Sequence, residues 1–165
     1  MERGRIMDKK ELRPKNYFDD RRKVKQEIRI IGIDDSPFSS KRKEEILILG
    51  TIHRGGGYME GLVSSYVLVD GTDATSKMIG MVNKTKHKAQ LQVIMLDGIA
   101  VGGFNVVDIQ ELSERTHLPV IVIMRHKPNL KNIKKALDNV EKGDERFETM
   151  KKAGRIFECP VRAAK

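Results

Sequence analysis

Ile30-Ile31-Gly32-Ile33-Asp34-Asp35 and, some sixty residues on, Val93-Ile94-Met95-Leu96-Asp97-Gly98 are the two stretches on which the fold turns. Each is a short, mostly β-branched apolar run that ends in a carboxylate, the pattern of a buried strand bounded by a turn. Open α/β sheets bind ligands beyond the carboxyl ends of their strands, so the two acidic tips are expected to meet at one site. Paired carboxylates suit a hard metal ion. The chain carries 32 Lys and Arg against 23 Asp and Glu, a net charge of +9. An acidic notch on so basic a body points to a polyanionic substrate, with nucleic acid the first candidate.

Working outward, Glu27 to Asp34 forms the first strand. The turn residues Ser36-Pro37-Phe38-Ser39-Ser40 and the charged run from Lys41 separate it from Ile46 to Ile52. Gly55-Gly56-Gly57 ends that second strand, and a third runs from Leu62 to Val69 with Val63, Ser65, Val67 and Val69 on one face. Three strands with no helix between them predict an antiparallel meander. The period then changes. Thr72 is the expected N-cap of a helix carrying Ala74, Met78 and Val82 toward Lys88. A fourth strand, Leu91 to Leu96, leads through a glycine-rich loop to Asn105. Val106, Ile109 and Leu112 stripe a short helix up to His117, and Pro119 to Met124 is strand five. Leu130, Ile133, Leu137 and Val140 mark another helix, which Gly143 is expected to stop before a last charged helix from Glu145 to Ala153.

At 165 residues, 39% hydrophobic and 33% charged, the chain fits one globular domain, expected over residues 26–165. Residues 1–25, dense in charge and interrupted by Pro14, read as a poorly ordered extension. No run reaches the 18 or so apolar residues needed to span a bilayer, and the charged start lacks the apolar segment of a signal peptide, so the expected location is the cytoplasm. Cys159 is the single cysteine, which excludes an internal disulfide and a cysteine-rich zinc site. His53, His87, His117 and His126 show no ligand spacing, and no nucleophile elbow surrounds a serine.

A right-handed crossover through the first helix would set strand four parallel to strand one, with Asp34 and Asp97 side by side. This arrangement resembles the ribonuclease H-like fold: α/β, with a mixed five-stranded sheet built from a three-strand meander followed by alternating helices and strands. By that resemblance Asp34 and Asp97 would hold Mg²⁺ or Mn²⁺ for phosphodiester cleavage. Two-metal hydrolysis usually needs a third carboxylate, and Asp73, at the start of the first helix, and Asp70, at the end of strand three, are both candidates. Strand alternation points Asp35 away from Asp34. Asp at a strand end is also a common turn former, and that reading stands beside the functional one.

Gly102, Gly103 and Asn105 lie where a phosphate could approach closely, although Asn105 equally suits a helix cap. Tyr58, after the triple glycine, could stack on a base or simply anchor its loop. Arg125, His126, Lys127, Lys131, Lys134 and Lys135 form a basic cluster that reads either as a backbone track or as a solvated helix face, with Lys127 near enough to a strand end to reach a scissile phosphate. No phosphate loop or dinucleotide fingerprint is present.

The strings Ile31-Gly32-Ile33-Asp34-Asp35-Ser36-Pro37-Phe38, Val69-Asp70-Gly71-Thr72-Asp73-Ala74-Thr75 and Val93 to Gly98 with Gly102-Gly103-Phe104-Asn105 resemble an uncharacterised archaeal protein family over residues 26–140. That family is similar to a distant relative of endonuclease V. The resemblance implies a ribonuclease H-like fold, Mg²⁺ dependence and cleavage near deaminated bases. Gly32-Ile33-Asp34 is similar to the first-strand Gly-x-Asp of endonuclease V, and Leu96-Asp97-Gly98 to the Asp-Gly of its fourth strand. The chain departs from it at the Pro-Tyr-x-Pro wedge, where it reads Gly57-Tyr58-Met59-Glu60-Gly61. The expected function is a nucleic-acid-binding protein or nuclease with Asp34 and Asp97 at its centre. The alternatives are a non-catalytic binder on the same fold and a small nucleotide-binding module.

Overall fold

The computed structural model describes residues 27–39 and 44–159. The expected N-terminal extension, most of the charged run after Ser39 and the last six residues lie outside these. Strands β1 (Arg29–Asp35), β2 (Glu45–Arg54) and β3 (Tyr58–Leu68) form the meander and are followed by helix α1 (Ala74–Lys84). A 3₁₀ turn at Lys88–Gln90 leads into β4 (Val93–Asp97), a small hairpin of β5 (Ala100–Val101) and β6 (Asn105–Val106), and helix α2 (Ile109–Thr116). The chain closes with β7 (Val120–Ile123), α3 (Leu130–Leu137) and α4 (Gly143–Lys151).

The main sheet has the order β3-β2-β1-β4-β7. The β1–β2 and β2–β3 pairs are antiparallel, whereas β1–β4 and β4–β7 are parallel. This is the ribonuclease H-like arrangement expected from the sequence, an α/β fold with a mixed five-stranded sheet. Ile31, Ile33, Ile48, Ile52, Val67, Ile94 and Leu96 point to one face and pack with Met78 and Val82 of α1 and Leu112 of α2 in a single core. Period-2 alternation sends the other residues of the same strands to the opposite face. There Leu62, Tyr66, Ile121 and Ile123 are exposed. Among the described residues, no helix is long and apolar enough to cross a membrane.

Several boundaries differ from the sequence reading. Strand β3 starts at Tyr58, four residues early, because the triple glycine makes a tight hairpin that keeps Tyr58 paired with Arg54. Helix α1 stops at Lys84, where Thr85 turns extended. Its N-cap position is Asp73, not Thr72, and Asp73 makes no side-chain capping bond to the helix. The expected helical stripe beginning at Val106 starts instead at Ile109, after the β5–β6 hairpin, with Asp108 capping the amides of Gln110 and Glu111. Gly143 opens α4 rather than closing α3. A Cβ at that position would collide with the Leu137 carbonyl, so only glycine lets the two helices meet this closely.

One buried cation ties the last helix to the loops. Arg146, 7% exposed, donates to the carbonyls of Asp70 and Gly71 (2.8 Å each), Glu141 (2.8 Å) and Phe104.

Candidate functional site

Register brings the two sequence-predicted aspartates together. Ile33 pairs with Leu96 in the parallel β1–β4 ladder, so the next positions, Asp34 and Asp97, end adjacent strands about 4.8 Å apart and share one face. Burial draws the same picture: Ile33 and Leu96 are in the core, Asp34 and Asp97 are exposed. The pair therefore sits at the carboxyl end of the sheet on the face that carries no helix of the core. Asp34 accepts a bond from the Asp35 amide at 2.9 Å. The Arg125 guanidinium lies 3.5 Å from Asp97 Oδ2 as a solvent-exposed ion pair. In sequence Arg125 is one member of a basic cluster, and only the tertiary fold assigns it to Asp97.

Partial burial pushes the Asp34 carboxyl above its ordinary value, with the neighbouring charges of Asp97 and Asp35 adding to the rise and the Asp35 amide opposing it. A cation between the two aspartates would relieve that repulsion. A raised folded-state value means that the ionised form is disfavoured by folding, so Asp34 costs stability once the pH passes above its folded value. Asp34→Asn should therefore melt slightly higher than wild type at pH 7, with the gain shrinking as the pH falls through the folded value and absent below the ordinary value of 3.8. Differential scanning fluorimetry across pH 3.5–7 checks the sign.

Asp70 and Asp73, the candidates for a third carboxylate, do not join the pair. Asp70, in a left-handed conformation (φ 52°), holds the Phe104 amide at 2.8 Å. Asp73 accepts from the Leu68 amide at 3.2 Å and from Asn105 Nδ2 at 2.7 Å. Both carboxylates are committed to the joint between β3, α1 and the β5–β6 hairpin. Asp35 faces that joint too, accepting the Gly102 amide at 2.6 Å, which is the opposite side from Asp34 as alternation predicts. Among the described residues, no three His, Cys, Asp or Glu side chains are grouped to hold one ion. The two carboxylates fit a hard cation that completes its shell with water and substrate oxygen, the usual habit of Mg²⁺.

The expected substrate-binding residues divide. Asn105 is wholly buried: its Oδ1 accepts the Ala74 amide at 3.0 Å, and its Nδ2 donates to the Leu68 carbonyl at 2.9 Å and to Asp73. It caps α1 from another element and offers no surface to a ligand, which corrects the substrate-binding expectation. Gly102 is buried against Ile46. Gly103, at φ 85°, leaves no room for a side chain, since a Cβ would lie 2.5 Å from Asp70 Oδ1. Their glycines serve loop closure. Tyr58 is exposed beneath Arg54, 5.6 Å from its guanidinium, at the hairpin end of the sheet. That end lies next to Arg29, five residues or about 17 Å along β1 from Asp34. Lys127 is exposed in the loop after β7, two residues beyond Arg125. The basic cluster is partly neutralised, because Lys134 pairs with Asp138 and Asp144.

Fold and site together define an α/β protein of the ribonuclease H-like class with an acidic pair at the ends of its two central parallel strands. The chain belongs to the Endonuclease dU family, whose model matches residues 26–164. It is 50% identical over 152 residues to a UPF0215 protein of Methanothermobacter thermautotrophicus, covering 89% of this chain and 74% of that relative. A UPF0215 protein of Methanosarcina mazei is 51% identical over 133 residues, covering 81% of this chain and 66% of the relative. The chain thus spans about two thirds to three quarters of the length of these archaeal relatives. A crystal structure of a protein of unknown function from Archaeoglobus fulgidus superposes with TM-score 0.73 at 38% identity, covering 79% of this chain and 72% of the other. The archaeal protein family expected from the sequence is the one these relatives represent.

Proposed function

We propose that the protein is a metal-dependent endonuclease that hydrolyses phosphodiester bonds at Asp34 and Asp97. The observation that supports this best is the parallel register that sets the two carboxylates side by side on an accessible face, in a chain of net charge +9. Bound there, Mg²⁺ or Mn²⁺ would polarise the phosphate and lower the pKa of a coordinated water. Asp34 and Asp97 supply its protein oxygens. Arg125 orients Asp97 and presents positive charge toward an incoming phosphate, and exposed Lys127 extends that charge. In the hydrolysis, water adds to phosphorus, the bond to the leaving oxygen breaks and the proton passes to that oxygen.

The family description names dU, and the resemblance to endonuclease V implies deaminated bases, so deoxyuridine-containing DNA is the first substrate to try. The purified protein should nick a duplex or single strand bearing one deoxyuridine in the presence of Mn²⁺ or Mg²⁺ and leave it intact in EDTA. Cutting that ignores the metal would refute the reading. A second reading, binding without hydrolysis, is favoured by the lack of a three-donor group among the described residues. Oligonucleotide binding with no nick under any divalent ion would support it.

A further inference from the structure

Strand β3 lies at the edge of the sheet, and between it and α1 runs an open cleft of about 530 Å³. Lys77 and Lys84, two helical turns apart on α1, both line it. Neither has an acidic partner among the described residues, in contrast to Lys134 and Lys151, which do. Between the two lysines Gly80 clears the helix surface, where even a Cβ would meet nothing within 4 Å. On the facing strand Ser65 points toward α1 and Ser64, by alternation, toward the opposite face; neither makes a side-chain hydrogen bond among the described residues, which leaves their hydroxyls available to donate. The cleft contains no aromatic ring that could stack on a base.

Two ammonium groups about 10 Å apart, with no acidic partner among the described residues and the Ser65 hydroxyl opposite, suit a phosphate backbone, and no lining ring offers a base a stacking platform. The cleft opens on the α1 face of the sheet and the aspartates lie on the other, so a strand held in it reaches them over the β3 edge. Asp34 pairs with Leu49 across β1–β2, and Leu49 pairs with Ser64 across β2–β3, so Ser64 stands on the same transverse row as Asp34, two strand spacings or about 10 Å away.

We propose that the cleft between β3 and α1 is a phosphate track for single-stranded nucleic acid, in which Lys77, Lys84 and the serine hydroxyls hold the strand that flanks the bond presented to Asp34 and Asp97. The proposal rests on the endonuclease reading for its orientation, but its test does not need cleavage. Binding of a fluorescein-labelled 20-mer oligothymidylate is followed by anisotropy in EDTA at several salt concentrations. Lys77→Ala/Lys84→Ala should weaken binding about fivefold or more near 0.1 M salt and reduce the slope of log K against log salt by about 1.4, two contacts at about 0.7 each. Lys151→Ala/Lys152→Ala, which removes the same charge from α4, should leave the slope unchanged. Circular dichroism and melting curves verify that both variants fold.

An equal loss in the two variants would overturn the track, since it would reflect net charge alone. Displacement of the oligonucleotide by polyglutamate at matched charge would also overturn it, in favour of an acidic polypeptide along the β3 edge. A lysine-dependent slope without any nicking would retain the track and defeat the endonuclease. Nicking with an unaltered slope would do the reverse.

Discussion

Asp34→Asn and Asp97→Asn proteins are expected to lose at least about 100-fold of the metal-dependent nicking rate on deoxyuridine-containing DNA, each on its own. The magnitude follows from the scarcity of donors. Among the described residues two carboxylates stand at the tips of β1 and β4, so each substitution removes half of their anionic oxygens from the cation, and Asp35, Asp70 and Asp73 are bonded elsewhere. Asparagine keeps the volume of the side chain and can still accept the Asp35 amide, so the fold should survive at position 34. Nicking and Mn²⁺ uptake by calorimetry should fall together. Cleavage that persists in both variants would move the chemistry elsewhere on the molecule. Asp97→Asn has a second consequence, because Arg125 loses its partner, and a rise in the substrate concentration needed for half-maximal rate should accompany the slower turnover.

Asn105→Ala is expected to be strongly destabilising, by about 2–4 kcal/mol. Truncation strands the buried Ala74 amide and takes a donor from the partly buried Leu68 carbonyl and Asp73 carboxylate. Asn105→Asp should be no better, because it restores an acceptor for Ala74 while setting a second carboxylate 2.7 Å from Asp73. Urea unfolding checks both, as a fall in midpoint with little change in the slope m. A variant that unfolds like wild type would mean that the joint between β3, α1 and β6 contributes far less than its hydrogen bonds imply.

The fold was legible in the sequence because it rests on local patterns: two apolar runs ending in aspartate, a meander punctuated by glycine, and a helix period that starts after Gly71. The pairing of Asp34 with Asp97 was legible as well, since handedness leaves few ways to connect β1 through α1 to β4. The roles of Asp70, Asp73 and Asn105 were not. Each is a polar residue at an element end, where turn, cap and ligand look alike in sequence, and only contacts across 31 to 37 positions decide between them. Arg146 shows the same limit from the other side. In sequence it is one more charge in a solvated helix, yet α4 turns it inward onto carbonyls some 40 and 75 residues away.

The borrowed cap on α1 has a bearing on how the molecule comes into being. The helix begins with an amide whose acceptor is not made until 31 residues later. A nascent chain that has emerged only as far as Lys84 therefore lacks the side chain that accepts the Ala74 amide. Severing the backbone between α1 and Asn105 would leave this joint to form between separate fragments.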